Sequence, residues 1–163
     1  MTRPAIGSNH KAVFTALLHQ DADTSFAAGD ILFNESSRAD HALYLISGRV
    51  AIEMAITGNR RVQVAERGPF ELIGEMGLVS GTRFCQVRAI DPVQAVHVSY
   101  ALLTQMVNAR SDFAISLYTL ATVRLEETCR LAADQAAMLA IVEPSMSWTL
   151  DAQTQHRRHL SSE

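Results

Sequence analysis

The residues best placed to do chemistry lie in one stretch, Ile73-Gly74-Glu75-Met76-Gly77-Leu78-Val79-Ser80-Gly81-Thr82-Arg83, where a strand-like run ends in glycine and acid and an arginine follows after a short turn. This spacing suits a small anion. Gly74 allows the backbone to come close to a ligand, and a helical turn over Met76–Val79 would point free N–H groups at negative charge. Arg83 can neutralise a phosphate through two parallel hydrogen bonds, and Glu75 can accept hydrogen bonds from sugar hydroxyls. A phosphate and a ribose together describe a nucleotide. Taken alone, a Gly-Glu pair followed by an arginine is also compatible with an exposed Glu75–Arg83 ion pair, worth less than about 1 kcal/mol.

Other reactive side chains form no such arrangement. The six histidines, His10, His19, His41, His97, His156 and His159, lack the spacing of a metal-binding motif beside a carboxylate. A metal-dependent enzyme on a β-roll therefore has little support, no nucleophile–base pair is visible, and neither catalysis nor a cofactor is expected. Cys85 and Cys129 are far apart and form no CxxC, so they are read as free thiols.

The elements that must hold this segment can be read from periodicity. Val13, Phe14, Leu17 and Leu18 recur at helical spacing between Ser8 and His19, with Ser8 a possible cap. From Thr24 to Ser99 short β-prone runs alternate with turn residues: Asp30–Phe33, Ala42–Ile46, Val50–Ile56, Arg61–Ala65, Leu72–Ile73, Cys85–Ile90 and Val93–Val98. Gly48 and Gly58-Asn59 stand where strands should reverse, so the strands are expected to be mostly antiparallel neighbours. Helical pattern returns over Tyr100–Val107 and again from Asp112 to Val142, a stretch without glycine or proline that Pro144 is expected to end.

A helix of some 30 residues is a rod of about 45 Å, longer than a domain of this size needs for its own core. Along it Ile115, Tyr118, Thr122, Leu125, Cys129, Ala132, Ala136 and Leu139 alternate steps of three and four, forming one seam for a second copy. The alternative is a helix packed only on its own β-roll. Residues 143–163 are polar and aperiodic and read as a flexible tail, leaving one domain over 8–142.

Three motifs in this order resemble the cyclic nucleotide-binding domain family: Phe26-Ala27-Ala28-Gly29-Asp30-Ile31-Leu32, Leu43-Tyr44-Leu45-Ile46-Ser47-Gly48-Arg49-Val50, and the Gly74-Glu75 to Arg83 segment, which looks like that family's phosphate-binding cassette. The likeness covers about residues 10–140. It implies a mainly β fold, an eight-stranded antiparallel, jelly-roll-like β-roll with a short N-terminal helix and a long C-terminal dimerisation helix. It also implies that Glu75 takes the ribose 2′-hydroxyl, that Arg83 takes the cyclic phosphate, and that backbone amides near Gly74, Met76 and Gly77 assist. The chain is similar to the catabolite-activator branch in particular, whose long helix pairs with its twin and reaches the purine. Matching that helix by its Arg-Leu pair places Thr128 and Cys129 at the base. The turn before Arg83 is shorter than the family's and lacks its proline, and Phe84 and Cys85 replace the small residues that normally follow the arginine. The Phe84 ring then either turns outward, leaving its backbone N–H to the ligand, or takes up part of the pocket.

Composition narrows the partners. The chain has 163 residues, 48% hydrophobic, and a net charge of −3, which denies it the broad positive field of non-specific nucleic-acid or anionic-membrane binding. No apolar run approaches the roughly 18 residues of a membrane span, nor does Met1–His10 resemble a signal peptide, so a cytoplasmic protein is expected. Only about 20 residues follow Val142, with no amphipathic helix pair, so direct DNA reading is not expected. The expected ligand is a cyclic purine nucleotide, cAMP or cGMP, bound by a homodimeric sensor with a downstream protein partner; the alternative is a degenerate roll that has lost the ligand and serves as a dimerising scaffold.

Overall fold

The computed structural model describes residues 10–56 and 60–159, and side chains only as far as Met138 within the last helix. The first helix, α1, spans His10–Leu18, and the strands are β1 (Thr24–Phe26), β2 (Ile31–Phe33), β3 (His41–Ser47), β4 (Val50–Ile56), β5 (Arg60–Arg67), β6 (Leu72–Ile73), β7 (Gln86–Ala89) and β8 (Val93–Ser99). A one-turn helix, α2 (Gly77–Ser80), interrupts them between β6 and β7; α3 (Tyr100–Ala109) and α4 (Ser111–His159) follow. The strands form two four-stranded antiparallel sheets ordered β1-β8-β3-β6 and β2-β7-β4-β5. This is the β-roll expected from the sequence.

Two apolar clusters explain the pattern along β3. Ala42 and Tyr44 face Phe14, Leu103, Phe113 and Leu120, which come from α1, α3 and the start of α4. The alternate residues Leu43 and Leu45 face Phe33, Val50, Val87 and Ala95 from both sheets. Both faces of β3 are thus buried, so the strand reads as a continuous apolar run instead of an alternating one. Leu72 and Ile73 divide in the same way, one into each cluster, which fixes the register of β6 against Tyr44 and Leu43.

Most elements fall where periodicity placed them, β4 and β6 with the same ends. The sequence pattern does not mark β1 as a strand; its three residues pair with Val93–Ala95 of β8. Ser8, proposed as a cap, and the Gly58-Asn59 turn lie outside the described residues, although Ile56 and Arg60 on either side of that turn pair as a hairpin requires. Arg110, with φ −138 and ψ 110, breaks the helix between α3 and α4, and the Asp112 carboxylate accepts from the Phe113 amide at 3.0 Å in the first turn of α4.

The long helix does not stop at Pro144. It is helical to His159, so residues 143–159 of the expected tail belong to α4. Proline withholds a single N–H and disturbs one turn, while Met146, Leu150, Ala152 and Gln153 beyond it are good helix formers. Two compact units divide within this helix, residues up to Val123 forming one and residues from Arg124 the other.

Candidate functional site

Gly74, Glu75 and Arg83 come together at the end of β6. Gly74 takes φ +83, which sends the chain out of the strand, and a Cβ there would stand 2.6 Å from Arg83 Nη1 and 2.7 Å from the Phe33 ring. A side chain at this position has no room. Arg83 Nη1 donates to the Gly74 carbonyl at 3.2 Å and to the Tyr100 hydroxyl at 3.2 Å, and the hydroxyl itself donates to the same carbonyl at 2.5 Å. The guanidinium carbon sits 3.6 Å from the centre of the Phe33 ring.

The backbone of Arg83 is held as firmly as its side chain. Its amide donates to the Ser37 carbonyl at 2.9 Å, and its carbonyl accepts from the Ser36 amide at 2.8 Å. Ala39 likewise donates to the Gly81 carbonyl at 2.9 Å, so the loop between β2 and β3 is laced to the segment that ends in Arg83.

Arg83 is 5% exposed, an unusual situation for a permanent charge. Among the described residues the carboxylate that comes within ion-pair distance is that of Asp40, whose Oδ1 is 4.0 Å from Nη2 and whose side chain is largely open to solvent. Burial is the largest influence on Arg83 and pulls its pKa down; the neighbouring Tyr100 and Asp40 act in the other direction. The Tyr100 phenol is pushed up, chiefly by burial, which keeps its proton available for the Gly74 carbonyl. Asp40 is held below the usual carboxylate range, first by the hydrogen bond from His41 Nδ1 at 2.6 Å. Glu75 is also buried, at 6% exposure.

A helical turn forms beside these residues, at Gly77–Ser80, one residue later than Met76–Val79. Its amides are not left free as expected. Gly77, Leu78 and Val79 donate to the carbonyls of Gly74, Glu75 and Met76 at 3.3, 3.0 and 3.3 Å, because so short a turn closes its own i to i−3 bonds. Gly77 packs under Tyr100: a Cβ there would lie 2.4 Å from the phenol oxygen and 2.5 Å from Ala39 Cβ. Met76 is exposed, and the Phe84 side chain is 54% exposed. Cys85 is half-buried, and Cys85 and Cys129 are free thiols, with burial pushing Cys85 up.

Thr128 and Cys129 lie in the second unit, exposed on α4; the Thr128 hydroxyl donates to the Arg124 carbonyl at 2.9 Å. Three residues that the sequence reading did not single out, Phe33, Asp40 and Tyr100, complete the surroundings of Arg83. Phe33 directly follows the first family-like motif and Asp40 shortly precedes the second, which was the available signal for both. Among the described residues no group of three or more His, Cys, Asp or Glu side chains is placed to hold a metal ion. No helix among them is long and apolar enough to cross a membrane.

Comparison with known proteins bears on this geometry. Comparison with curated protein sequences yields no match. Among solved structures, the chain is similar to a cyclic nucleotide-binding domain from Methylobacillus flagellatus KT, at 24% identity and TM-score 0.58 over 64% of this chain and 61% of that one. It is similar to the c-di-GMP responsive global regulator CLP of Xanthomonas campestris, at 26% identity and TM-score 0.63 over 77% of this chain and 63% of that one. It is also similar to the Thermus thermophilus catabolite activator protein, at 21% identity and TM-score 0.65 over 80% of this chain and 60% of that one. The chain therefore spans about three fifths of the length of these proteins. The model of the cyclic nucleotide-binding domain matches residues 23–110, from before β1 to the end of α3 and including all of the Gly74–Arg83 segment. With more than half of its length matched, and with the β-roll observed, the chain belongs to the cyclic nucleotide-binding domain family.

Proposed function

We propose that this protein is a cytoplasmic cyclic nucleotide sensor that binds cAMP or cGMP at the Gly74–Arg83 cassette and acts as a homodimer through α4, without catalysing a reaction. The observation that carries the reading is Arg83: a guanidinium 5% exposed which, among the described residues, has a carboxylate within ion-pair distance only at 4.0 Å, that of the exposed Asp40. Such a charge is costly to bury alone, and a singly charged anion completes it. Arg83 takes the cyclic phosphate, buried Glu75 accepts from the ribose 2′-hydroxyl, and the backbone around Gly74, Met76 and Gly77 with the Phe84 amide lines the phosphate. Thr128 and Cys129 serve the purine. No DNA contact is proposed, since a net charge of −3 favours none.

The two faces of α4 support the dimer. Phe113, Ser116 and Leu120 are buried against the roll, whereas Ile115, Tyr118, Thr122, Leu125, Cys129, Ala132 and Ala136 are all exposed along one seam. An apolar row of that length gains by pairing with a second copy. Leu139, the last residue of the proposed seam, has no described side chain.

A second reading, a scaffold that no longer binds nucleotide, is favoured by Phe84 in the place of a small residue and by the engagement of Arg83 with Phe33, Gly74 and Tyr100. Calorimetry with cAMP, cGMP, 5′-AMP and c-di-GMP separates the two. The sensor binds the 3′,5′-cyclic nucleotides far better than AMP, whose extra charge and open phosphate do not suit the cassette; equal affinity for cAMP and AMP ends that reading, and silence with all four leaves the scaffold. Preference for c-di-GMP would make this chain c-di-GMP responsive, as the Xanthomonas regulator is. Arg83→Ala should lose about 30-fold to several thousand-fold in affinity, or about 2–5 kcal/mol. A loss under about threefold removes Arg83 from the site.

A further inference from the structure

Tyr100 is the first residue of α3, yet its hydroxyl reaches back into the cassette. Arg83 Nη1 carries two N–H groups, and both are taken: one partner is the Gly74 carbonyl at 3.2 Å, the other the Tyr100 hydroxyl at 3.2 Å. The hydroxyl passes its own proton to that carbonyl at 2.5 Å, so the three groups close a ring. Among the described residues, every hydrogen bond of the Arg83 side chain leaves from Nη1. A guanidinium can grip a phosphate by two parallel bonds along either of two kinds of edge, Nη1 with Nη2 or Nε with Nη2. The commitment of Nη1 closes the first and leaves the second, which makes no hydrogen bond among the described residues and has the solvent-exposed Asp40 carboxylate 4.0 Å from its Nη2.

Two contacts therefore define the orientation of this arginine. Phe33, 3.6 Å beneath it, sets the plane of the guanidinium, and Tyr100 sets its rotation within that plane. The phenol is itself fixed, since it occupies the space that the missing side chain of Gly77 leaves against Ala39. Its backbone opens a helix whose first turn is capped by the Ser99 hydroxyl, which accepts from the Leu102 amide at 3.2 Å.

We propose that Tyr100 is a positioning residue for anion recognition: by engaging Nη1 it presents the Nε–Nη2 edge of Arg83 to a phosphate, and it ties that presentation to the first turn of α3. This deepens the reading of Arg83 as the phosphate ligand and rests on it. The test variant is Tyr100→Phe, which keeps the ring against Gly77 and removes the hydroxyl. Its affinity for cAMP should fall about 3- to 30-fold, the loss expected for one hydrogen bond to a charged group. In an Arg83→Ala background the same change should cost less than about twofold, because a residue that acts through Arg83 has nothing left to act on. An unchanged affinity in the single variant, or an equal loss in both backgrounds, overturns the proposal while leaving the nucleotide reading intact. Nitrogen-15 NMR of the Arg83 side chain, with cAMP and with inorganic phosphate as probes, keeps the two apart. If cAMP fails but phosphate moves the Arg83 Nε signal, and Tyr100→Phe abolishes that response, the positioning role stands and the nucleotide reading falls. If neither probe moves it, both fall.

Discussion

The Arg83 guanidinium and the Phe33 ring are stacked, with 3.6 Å between the cationic carbon and the ring centre. The attraction between a buried cation and an aromatic face replaces part of the hydration that Arg83 has lost. Phe33 comes from β2 in one sheet, and Arg83 from the segment that leaves β6 in the other. Gly74 is what allows them to meet, since a Cβ at that position would lie 2.7 Å from one and 2.6 Å from the other.

Gly74→Ala should accordingly disturb stability and site together. A positive φ of +83 is strained for alanine, and the added carbon must displace Arg83 or Phe33. A loss of about 1–3 kcal/mol in folding free energy is expected, with weakened cAMP binding. Denaturant unfolding followed by titration checks this; a variant as stable as the parent and equally able to bind would show that the close approach has no energetic consequence.

Phe84→Ser should behave in the opposite way. The side chain is 54% exposed, so its removal exposes little that is now covered, and the substitution restores a small hydroxyl-bearing residue after the arginine. Stability should change by less than about 1 kcal/mol, and cyclic nucleotide affinity should be maintained or improved. A marked loss of affinity in calorimetry would mean that the Phe84 ring shapes the pocket.

Acid sensitivity should centre on Glu53, which is buried on the β2-β7-β4-β5 sheet. Its carboxylate accepts from Arg88 Nε at 3.0 Å, from Arg88 Nη2, and from Gln86 Nε2 at 2.9 Å. The bonds from Arg88 are the main reason that its pKa is lowered, outweighing burial, which acts the other way. A carboxyl with a lower pKa folded than unfolded contributes stability above its ordinary range and loses it as pH falls through that range toward the folded value. Glu53→Gln should therefore cost about 1–3 kcal/mol at neutral pH and shrink in effect below about pH 4. Denaturation midpoints of both proteins at pH 7 and pH 3 make the comparison; a difference independent of pH would assign the acid limb elsewhere.

The seam on α4 predicts a dimer that Leu125→Glu breaks. Leu125 is 64% exposed in the single chain, and burying such a side chain contributes about 1.5–3 kcal/mol per subunit. The substitution removes that term twice and brings two like charges together at an axis. Sedimentation should report a monomer. Nucleotide affinity should fall with assembly if ligand binding and dimerisation are linked. A variant that stays dimeric refutes the seam, whereas a monomer that binds normally refutes only the coupling.

Strands with a strong local signal were legible: Val50–Ile56 and Leu72–Ile73 are bounded by turn residues and match their observed limits. Thr24–Phe26 was not, because Thr-Ser-Phe carries a single apolar side chain and the strand is defined by its pairing with β8. Pro144 predicts a stop because proline disfavours a helix interior, but a single lost hydrogen bond does not end a helix of 49 residues.

Within the site, the amino-acid sequence by itself determined the resemblance to the family, the Gly74-Glu75 to Arg83 order and the run of short strands from which the roll is built, since each is written in neighbours close along the chain. Tertiary structure decided how Arg83 is held. Phe33 and Asp40 precede it by dozens of residues, and Tyr100 follows it by 17. Periodicity of two or of three to four reports which face of an element is buried, but it carries no information on which distant face lies opposite. That choice is made when the two sheets close on each other and α3 docks at the end of β8, and only then does an arginine in a polar turn become a buried charge stacked on one ring and tied to another.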